Sequence, residues 1–101
     1  MAEIEWTDEA RYWLQEIYNF IARDNEEAAW RVVLGIYDRV QTLRRFPESG
    51  QRYGKYPDKN IRILLYGHYR IAYMIRDENA IHILGVFHGA LDIDEHIKRI
   101  L

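Results

Sequence analysis

The hydrophobic pattern of this chain changes once, near residue 47, and that change limits the folds it can adopt. Before Pro47 the apolar residues recur at the period of an amphipathic helix. After Gly54 they occur in short runs rich in Ile, Val, Tyr and Leu, a pattern typical of strands. No repeat, linker or low-complexity segment interrupts the 101 residues. We therefore expect residues 1–101 to form a single α+β domain.

The first half of the chain predicts a short strand followed by a helical hairpin. Residues 4–6 are a short apolar run that suits an edge strand. Thr7 and Asn25 are each followed by two acidic residues, so we expect them to be the N-caps of two successive helices. The second helix is expected to continue to the stop signal at Pro47. Glycine costs roughly 1 kcal/mol in a helix centre relative to alanine, so Gly35 predicts a close contact between the two helices.

The second half predicts a sheet built from consecutive hairpins. Three runs of strand-forming residues, 61–66, 69–76 and 80–87, are separated by turns that are short enough for hairpins. With the N-terminal strand they give the order β-α-α-β-β-β, and the stretch 92–101 also allows a short C-terminal helix. We expect a two-layer α+β sandwich in which both helices cover one face of a three- to four-stranded, mostly antiparallel sheet.

Composition excludes several classes of protein. The chain has no cysteine, which excludes disulfides, thiolate metal sites and a cysteine nucleophile, and suits a cytoplasmic location. It has neither an apolar run of bilayer length nor a secretory signal, so we expect no membrane association. The net charge of −2 disfavours broad nucleic-acid binding, because that affinity depends on a basic excess. No Gly-rich phosphate loop, nucleophile elbow or zincin motif is present, and no cofactor is expected.

The two predicted helices carry more apolar surface than one interface requires. Ile36 marks the centre of the inward face of the second helix. Four large side chains lie away from the inward centres of their helices, namely Tyr18, Trp30, Leu34 and Tyr37. They could complete the contacts of each helix with the sheet and with the other helix, or they could form an apolar groove for a partner helix or strand.

Charged residues on the predicted strands could carry chemistry. Arg62, Arg70 and Arg76 could bind phosphates or acidic side chains through bidentate contacts, or simply face solvent. His88 ends the last strand close to Asp92. A nearby carboxylate can position a histidine as a general acid or base, although a surface histidine without such a role is the simpler interpretation. A set of ligands from His88, Asp92, Asp94 and His96 fits no compact metal motif, so no metal is expected.

A series of segments spread over nearly the whole chain fits one known family in both order and spacing. The segments are Trp6-Thr7 with Ala10, NEEAA at 25–29, LRRFP at 43–47 with Gly50, Ile61-Arg62, YRIAY at 69–73 and ILGVFHGALD at 83–92. In this order they resemble the RelE/ParE toxin superfamily of bacterial type II toxin–antitoxin modules. Members of that superfamily poison their own cell unless a cognate antitoxin holds them, and their β-α-α-β-β-β fold agrees with the one predicted from periodicity.

The resemblance implies one of two activities. ParE-like members inhibit DNA gyrase, whereas RelE-like members cut messenger RNA on the ribosome. Arg70 matches an arginine that RelE-like nucleases use, but Leu91 stands where a second arginine is common, and no tyrosine follows Tyr73. The long helical hairpin and the weakly acidic charge also look more like ParE. We therefore expect a non-hydrolytic gyrase inhibitor. The alternatives are a ribosome-dependent endoribonuclease with catalytic Arg70 and His88, or an attenuated toxin that mainly binds its antitoxin.

The resemblance also divides the candidate residues between two partners. A ribbon-helix-helix-like or similar antitoxin is expected to bind the toxin in a hetero-oligomer. It would contact the apolar groove and two strand arginines, through Tyr18, Trp30, Leu34, Tyr37, Arg62 and Arg76. The target would contact Arg70, His88, Leu91 and Asp92. We expect this target to be gyrase, and the alternative is the ribosome.

Overall fold

The computed structural model of the chain describes residues 1–89 and 93–101. Its elements confirm the predicted succession and include the short C-terminal helix. They are β1 (Glu3–Trp6), α1 (Asp8–Ala22), α2 (Glu26–Gln41), a 3-10 turn (Thr42–Arg44), β2 (Gln51–Arg52), β3 (Ile61–Tyr66), β4 (Tyr69–Asp77), β5 (Ala80–His88) and α3 (Ile93–Ile100).

The strands of the described chain form one sheet in the order β1-β5-β4-β3-β2. β1 pairs in parallel with β5, and the other neighbours pair antiparallel. The sheet therefore has five strands, and the predicted count of three to four is wrong. The additional strand is β2, whose two residues pair with Arg62 and Ile63. Two residues are too few to show an alternating pattern, so β2 could not be recognised in the turn-rich stretch after Pro47.

Thr7 and Asn25 begin the two long helices, as predicted. The Thr7 hydroxyl accepts a hydrogen bond from the backbone N–H of Ala10 at 3.1 Å and donates one to the carbonyl of Ile83 at 2.7 Å. The cap of α1 is thereby tied to β5 as well. The Asn25 side chain accepts from the N–H of Ala28 at 3.0 Å. A cap of this kind contributes about 1 kcal/mol to stability.

Two expectations about α2 are corrected by the structure. The α-helix ends at Gln41 rather than continuing toward Pro47, because the chain tightens into the 3-10 turn there. Gly35 does not make a close contact with α1. It faces β3 instead, where a methyl group added to it would overlap the ring and hydroxyl of Tyr66. The small residue therefore makes room for a side chain of the sheet.

The sheet separates two apolar cores. On one face α1 and α2 cover buried side chains such as Ile71, Ile83 and Val86. On the other face α3 covers a smaller cluster that includes Ala72 and Phe87. The pairing of β4 with β5 is irregular between residues 72 and 73, where one extra residue of β5 shifts the alternation. As a result Ile83 and Val86 face the same side although they are three residues apart.

Candidate functional site

The off-centre apolar residues of the helical hairpin lie together on its surface. Trp30, Leu34 and Tyr37 expose 50%, 54% and 46% of their surface. Tyr18 of α1 meets Trp30 edge-on with ring centroids 4.9 Å apart, and Tyr37 stacks on Trp6 at 6.4 Å. We call Tyr18, Trp30, Leu34 and Tyr37 the aromatic groove. Its members contact one another or a neighbouring ring, yet about half of the surface of the α2 residues stays available to a partner.

The aromatic groove has the dimensions of a helix-binding site. Trp30, Leu34 and Tyr37 are spaced four and three residues apart, so they form one stripe that extends roughly 10 Å along α2. A depression of about 320 Å³ adjoins this stripe between α1 and α2, lined by Leu14, Tyr18, Trp30 and Val33 together with Arg11 and Gln15. A surface of this shape accepts about two turns of an amphipathic helix.

The three strand arginines, grouped together by sequence, have different surroundings. The Arg62 side chain is only 15% exposed. Its guanidinium donates to the carbonyls of Glu48 at 3.1 Å and Gly50 at 2.9 Å, and to the side chain of Asn60 at 3.2 Å. Arg62 therefore holds the loop before β2 and offers little surface to an antitoxin. Arg76 is exposed near the end of β4, where the pairing with β5 is irregular.

Arg70 and His88 lie together at one end of the sheet, around the turn between β3 and β4. Arg70 donates to the carbonyl of Gly89 at 3.4 Å. The ring of His88 stacks on that of His68 with centroids 6.3 Å apart, and Tyr69 meets His88 edge-on at 5.7 Å. A depression of about 410 Å³ borders these groups. We call His68, Arg70 and His88 the tip cluster.

His68 is the member of the tip cluster that sequence reasoning missed as a site residue. The sequence places it in a turn, where it suggests only a solvated side chain. The hairpin register would have revealed its position, because Tyr69 pairs with His88 across β4 and β5. Leu91 and Asp92, the other two residues expected to contact the target, lie outside the described residues.

The tip cluster contains side-chain types that a ribonuclease uses. Cleavage through a 2′-hydroxyl needs a base, an acid and cationic stabilisation of the transition state. Arg70 can supply the cation, and the imidazoles of His68 and His88 can each exchange a proton. Burial raises the pKa of the nearby Tyr69, so its hydroxyl stays protonated at neutral pH.

Asp94 and His96, considered above as metal ligands, are engaged in docking α3. Asp94 accepts hydrogen bonds from Lys55 and from the Tyr53 hydroxyl, the latter at 2.7 Å. These bonds, the one from Lys55 most, lower the pKa of Asp94. The His96 ring stacks on Phe87 with centroids 5.0 Å apart. Within residues 1–89 and 93–101, no three His, Asp or Glu side chains are placed to hold a metal ion.

Comparison with known proteins identifies the family. The family model described as "ParE toxin of type II toxin-antitoxin system, parDE" matches residues 4–93, from β1 to the beginning of α3. This chain belongs to the ParE toxin family. Membership confirms the resemblance found in the sequence, and it places the protein in the ParE-like branch as a toxin of a type II module with a cognate antitoxin.

The fold is shared with a solved ParE-type system. The chain matches a structure described as the chromosomal ParDE toxin–antitoxin system from P. aeruginosa, with a TM-score of 0.72 and 22% identity. The match covers 87% of this ParE-family chain and 96% of the other. No curated protein sequence matches significantly. None of the helices in the described ranges is long and apolar enough to cross a bilayer.

Proposed function

We propose that this ParE-family toxin inhibits DNA gyrase without hydrolysing a substrate, and that it acts in the cytoplasm, where gyrase acts on DNA. The observation that carries the proposal is the family match over residues 4–93, since gyrase inhibition is the known role of the ParE-like branch. The net charge of −2 supports it, because an RNA-cutting surface normally needs a basic excess.

The antitoxin is proposed to be ribbon-helix-helix-like or of similar type and to lay an amphipathic helix in the aromatic groove. Trp30, Leu34 and Tyr37 form one half-exposed apolar stripe on α2, and contiguous apolar patches of this kind often mark sites where proteins interact. Apolar residues of the antitoxin, spaced three and four apart, would cover Trp30, Leu34 and Tyr37. Its acidic residues would contact Arg76, and the two chains would form a hetero-oligomer.

The tip cluster is proposed to contact the target. Arg70 and His88 lie at one end of the sheet, separate from the helical stripe, so a protein bound there leaves the aromatic groove open. The same two residues keep a ribosome-dependent endoribonuclease as the second candidate function, because they are the pair that such an enzyme would use.

Two assays run on the same toxin preparation test the proposed function. In the first, purified gyrase supercoils relaxed plasmid in the presence of toxin. In the second, ribosomes programmed with a defined messenger RNA are incubated with toxin and the RNA is examined for cuts. We expect supercoiling to be inhibited and the RNA to stay intact. Unaffected supercoiling with cut RNA would favour the endoribonuclease, whereas inertness in both assays with tight antitoxin binding would favour an attenuated toxin.

A further inference from the structure

A second apolar surface lies on the flank of α1 opposite the aromatic groove. It is a cleft of about 530 Å³ between α1 and the ends of β4 and β5. Its apolar lining comes from Trp13, Ile17 and Phe20 of α1 together with Tyr69 and Val86 of the sheet. We call it the α1–sheet cleft. Phe20 stands at its rim with 70% of its surface exposed.

The two walls of the α1–sheet cleft carry different polar residues. Glu16 lines the α1 wall, and Glu9 lies seven residues earlier on the same flank of the helix. His88 lines the opposite wall and also borders the tip cluster, next to Arg70. The cleft is therefore continuous with the residues proposed to contact the target, and its helical wall carries the carboxylate of Glu16, with Glu9 one flank position beyond the lining.

The charge of the helical wall indicates what kind of molecule the cleft accepts. Carboxylates at Glu9 and Glu16 repel a phosphate backbone, so a nucleic acid is disfavoured there. A protein segment with a bulky apolar side chain and a nearby Lys or Arg satisfies both the apolar floor and the acidic wall.

The position of the cleft indicates which protein supplies that segment. A helix lying in the aromatic groove follows the other flank of α1, and α1 with its side chains is about 10 Å wide. One such helix cannot also fill the α1–sheet cleft. A helix bound in the aromatic groove therefore leaves the cleft uncovered, beside Arg70 and His88.

We propose that the α1–sheet cleft is a docking site for the toxin's target, which inserts an apolar side chain beside Phe20 and places a basic side chain against Glu16. The proposal rests on the proposed function for the identity of that target, which is gyrase. It adds that target and antitoxin occupy opposite flanks of α1.

Two substitutions in the cleft test this proposal, and one in the groove serves as their control. Phe20→Ser removes an exposed apolar side chain, and Glu16→Lys reverses an exposed charge, so neither removes a buried contact. Leu34→Ser removes a comparably exposed apolar residue from the aromatic groove. Each variant is first checked for an unchanged circular dichroism spectrum and melting temperature. Its affinities for immobilised gyrase holoenzyme and for the antitoxin encoded beside the toxin gene are then measured by biolayer interferometry.

We expect both cleft variants to bind gyrase roughly tenfold or more weakly while keeping antitoxin affinity within about twofold, and Leu34→Ser to show the opposite pattern. If both cleft variants bind gyrase as tightly as the wild-type toxin does, and the wild-type toxin inhibits supercoiling, the docking site is overturned. The proposed function is then unaffected. Weakened antitoxin binding by the cleft variants would assign the cleft to the antitoxin instead. A wild-type toxin that neither binds nor inhibits gyrase would overturn the proposed function and the assignment of the cleft to gyrase together.

Discussion

Two polar side chains, Tyr73 and Arg62, hold the loop that leads from the 3-10 turn to β2. The Tyr73 hydroxyl donates to the carbonyl of Pro47 at 2.7 Å and accepts from the N–H of Gly50 at 2.9 Å. Arg62 donates to the carbonyl of the same Gly50 at 2.9 Å. Tyr73 is fully buried, and its bond with Gly50 is shielded from water, whereas the bonds to Pro47 and from Arg62 are partly buried. Single residues therefore fix a segment that has almost no regular structure.

We predict that Tyr73→Phe destabilises the fold by about 1–3 kcal/mol, because the N–H of Gly50 and the carbonyl of Pro47 lose a buried partner. Urea unfolding followed by circular dichroism at pH 7 measures the difference. Phe46→Leu, a conservative change at a position that is 64% exposed, serves as the control and should change stability little. A Tyr73→Phe variant as stable as the wild type would show that the loop does not depend on the hydroxyl.

The same residue predicts how stability changes in alkali. Burial raises the pKa of Tyr73 above its ordinary value near 10. The neutral hydroxyl therefore contributes stability that is fully present below pH 10 and is lost as the pH rises through the folded-state pKa. The stability gap between the wild type and Tyr73→Phe should narrow above pH 10, as measured by urea unfolding at pH 8 and at pH 11. A gap that stays constant over this range would contradict the prediction.

At the scale of elements, α2 and β3 are fitted to each other at Gly35. Helix propensity alone says that alanine there should stabilise the protein by about 1 kcal/mol. In the structure the added methyl group would overlap the ring and hydroxyl of Tyr66, so packing opposes this gain. Glycine at this position is explained by packing against the sheet, which no property of the helix itself reveals.

Gly35→Ala is therefore predicted to destabilise the protein by about 1–3 kcal/mol, as overpacking commonly does. Introduced into a Tyr66→Ala background, the same substitution should become neutral or stabilising, because the overlapping ring has been removed. A double-mutant cycle of unfolding free energies measures this coupling. Equal effects of Gly35→Ala in the two backgrounds would show that Tyr66 is not the obstacle.

The helix α3 is attached to the sheet by apolar packing and by one polar anchor. Ile93 and Ile97 are buried against the second core. Asp94 accepts hydrogen bonds from Lys55 and Tyr53, which precede β3, so the helix is linked to a segment about forty residues earlier in the chain. The anchor depends on a charged carboxylate, since its donors lower the pKa of Asp94.

Acid is predicted to loosen α3. The pKa of Asp94 is lowered in the folded state. The stability that the charged carboxylate contributes is therefore present above pH 4 and is lost as the pH falls through the folded-state pKa. The methyl NMR signals of Ile93 and Ile97 should shift on acidification, and Asp94→Asn should show the shifted positions already at pH 7. Asp24→Asn, an exposed change at the α1–α2 joint, is the control. If the Ile93 and Ile97 methyl signals of Asp94→Asn at pH 7 match those of the wild type, Asp94 does not anchor α3.

At the scale of the whole molecule, α1 separates two apolar surfaces. The aromatic groove lies on the α2 side, and the α1–sheet cleft lies on the side of β4 and β5. One helix can therefore present two partners with different surfaces while its centre packs on the sheet. The tip cluster extends the second surface and adds basic groups to it.

We predict that Trp30→Ala or Tyr37→Ala weakens antitoxin binding by about 2 kcal/mol, or roughly 30-fold in Kd, because both are large aromatic anchors in the groove. Isothermal titration calorimetry of each toxin variant with the antitoxin measures the change. Phe46→Ala removes an aromatic residue outside the groove that is even more exposed, at 64%, and should leave the affinity unchanged. If all three variants bind alike, the antitoxin occupies another surface.

Much of this arrangement could be predicted because local signals are strong where they occur. Thr7 and Asn25 cap the helices as expected, and the bounds of β3 are those expected, since a capping side chain or a hairpin turn acts over a few neighbouring residues. The same reason applies to the off-centre positions of Trp30, Leu34 and Tyr37. Helical spacing alone determines which side of α2 these residues occupy. The proximity of Arg70 to His88 could not be predicted in this way, because it depends on the register between β4 and β5.

The sequence by itself therefore determined the order of the elements, the family and the surplus apolar stripe of the helical hairpin. Only the tertiary structure decided that Gly35 accommodates Tyr66, that Arg62 is bonded to a loop, and that α1 and the sheet enclose a second cleft. The physical reason is that each of these depends on groups distant in the chain. Their separation is set by sheet register, bulges and close packing, none of which leaves a local pattern in the amino-acid order.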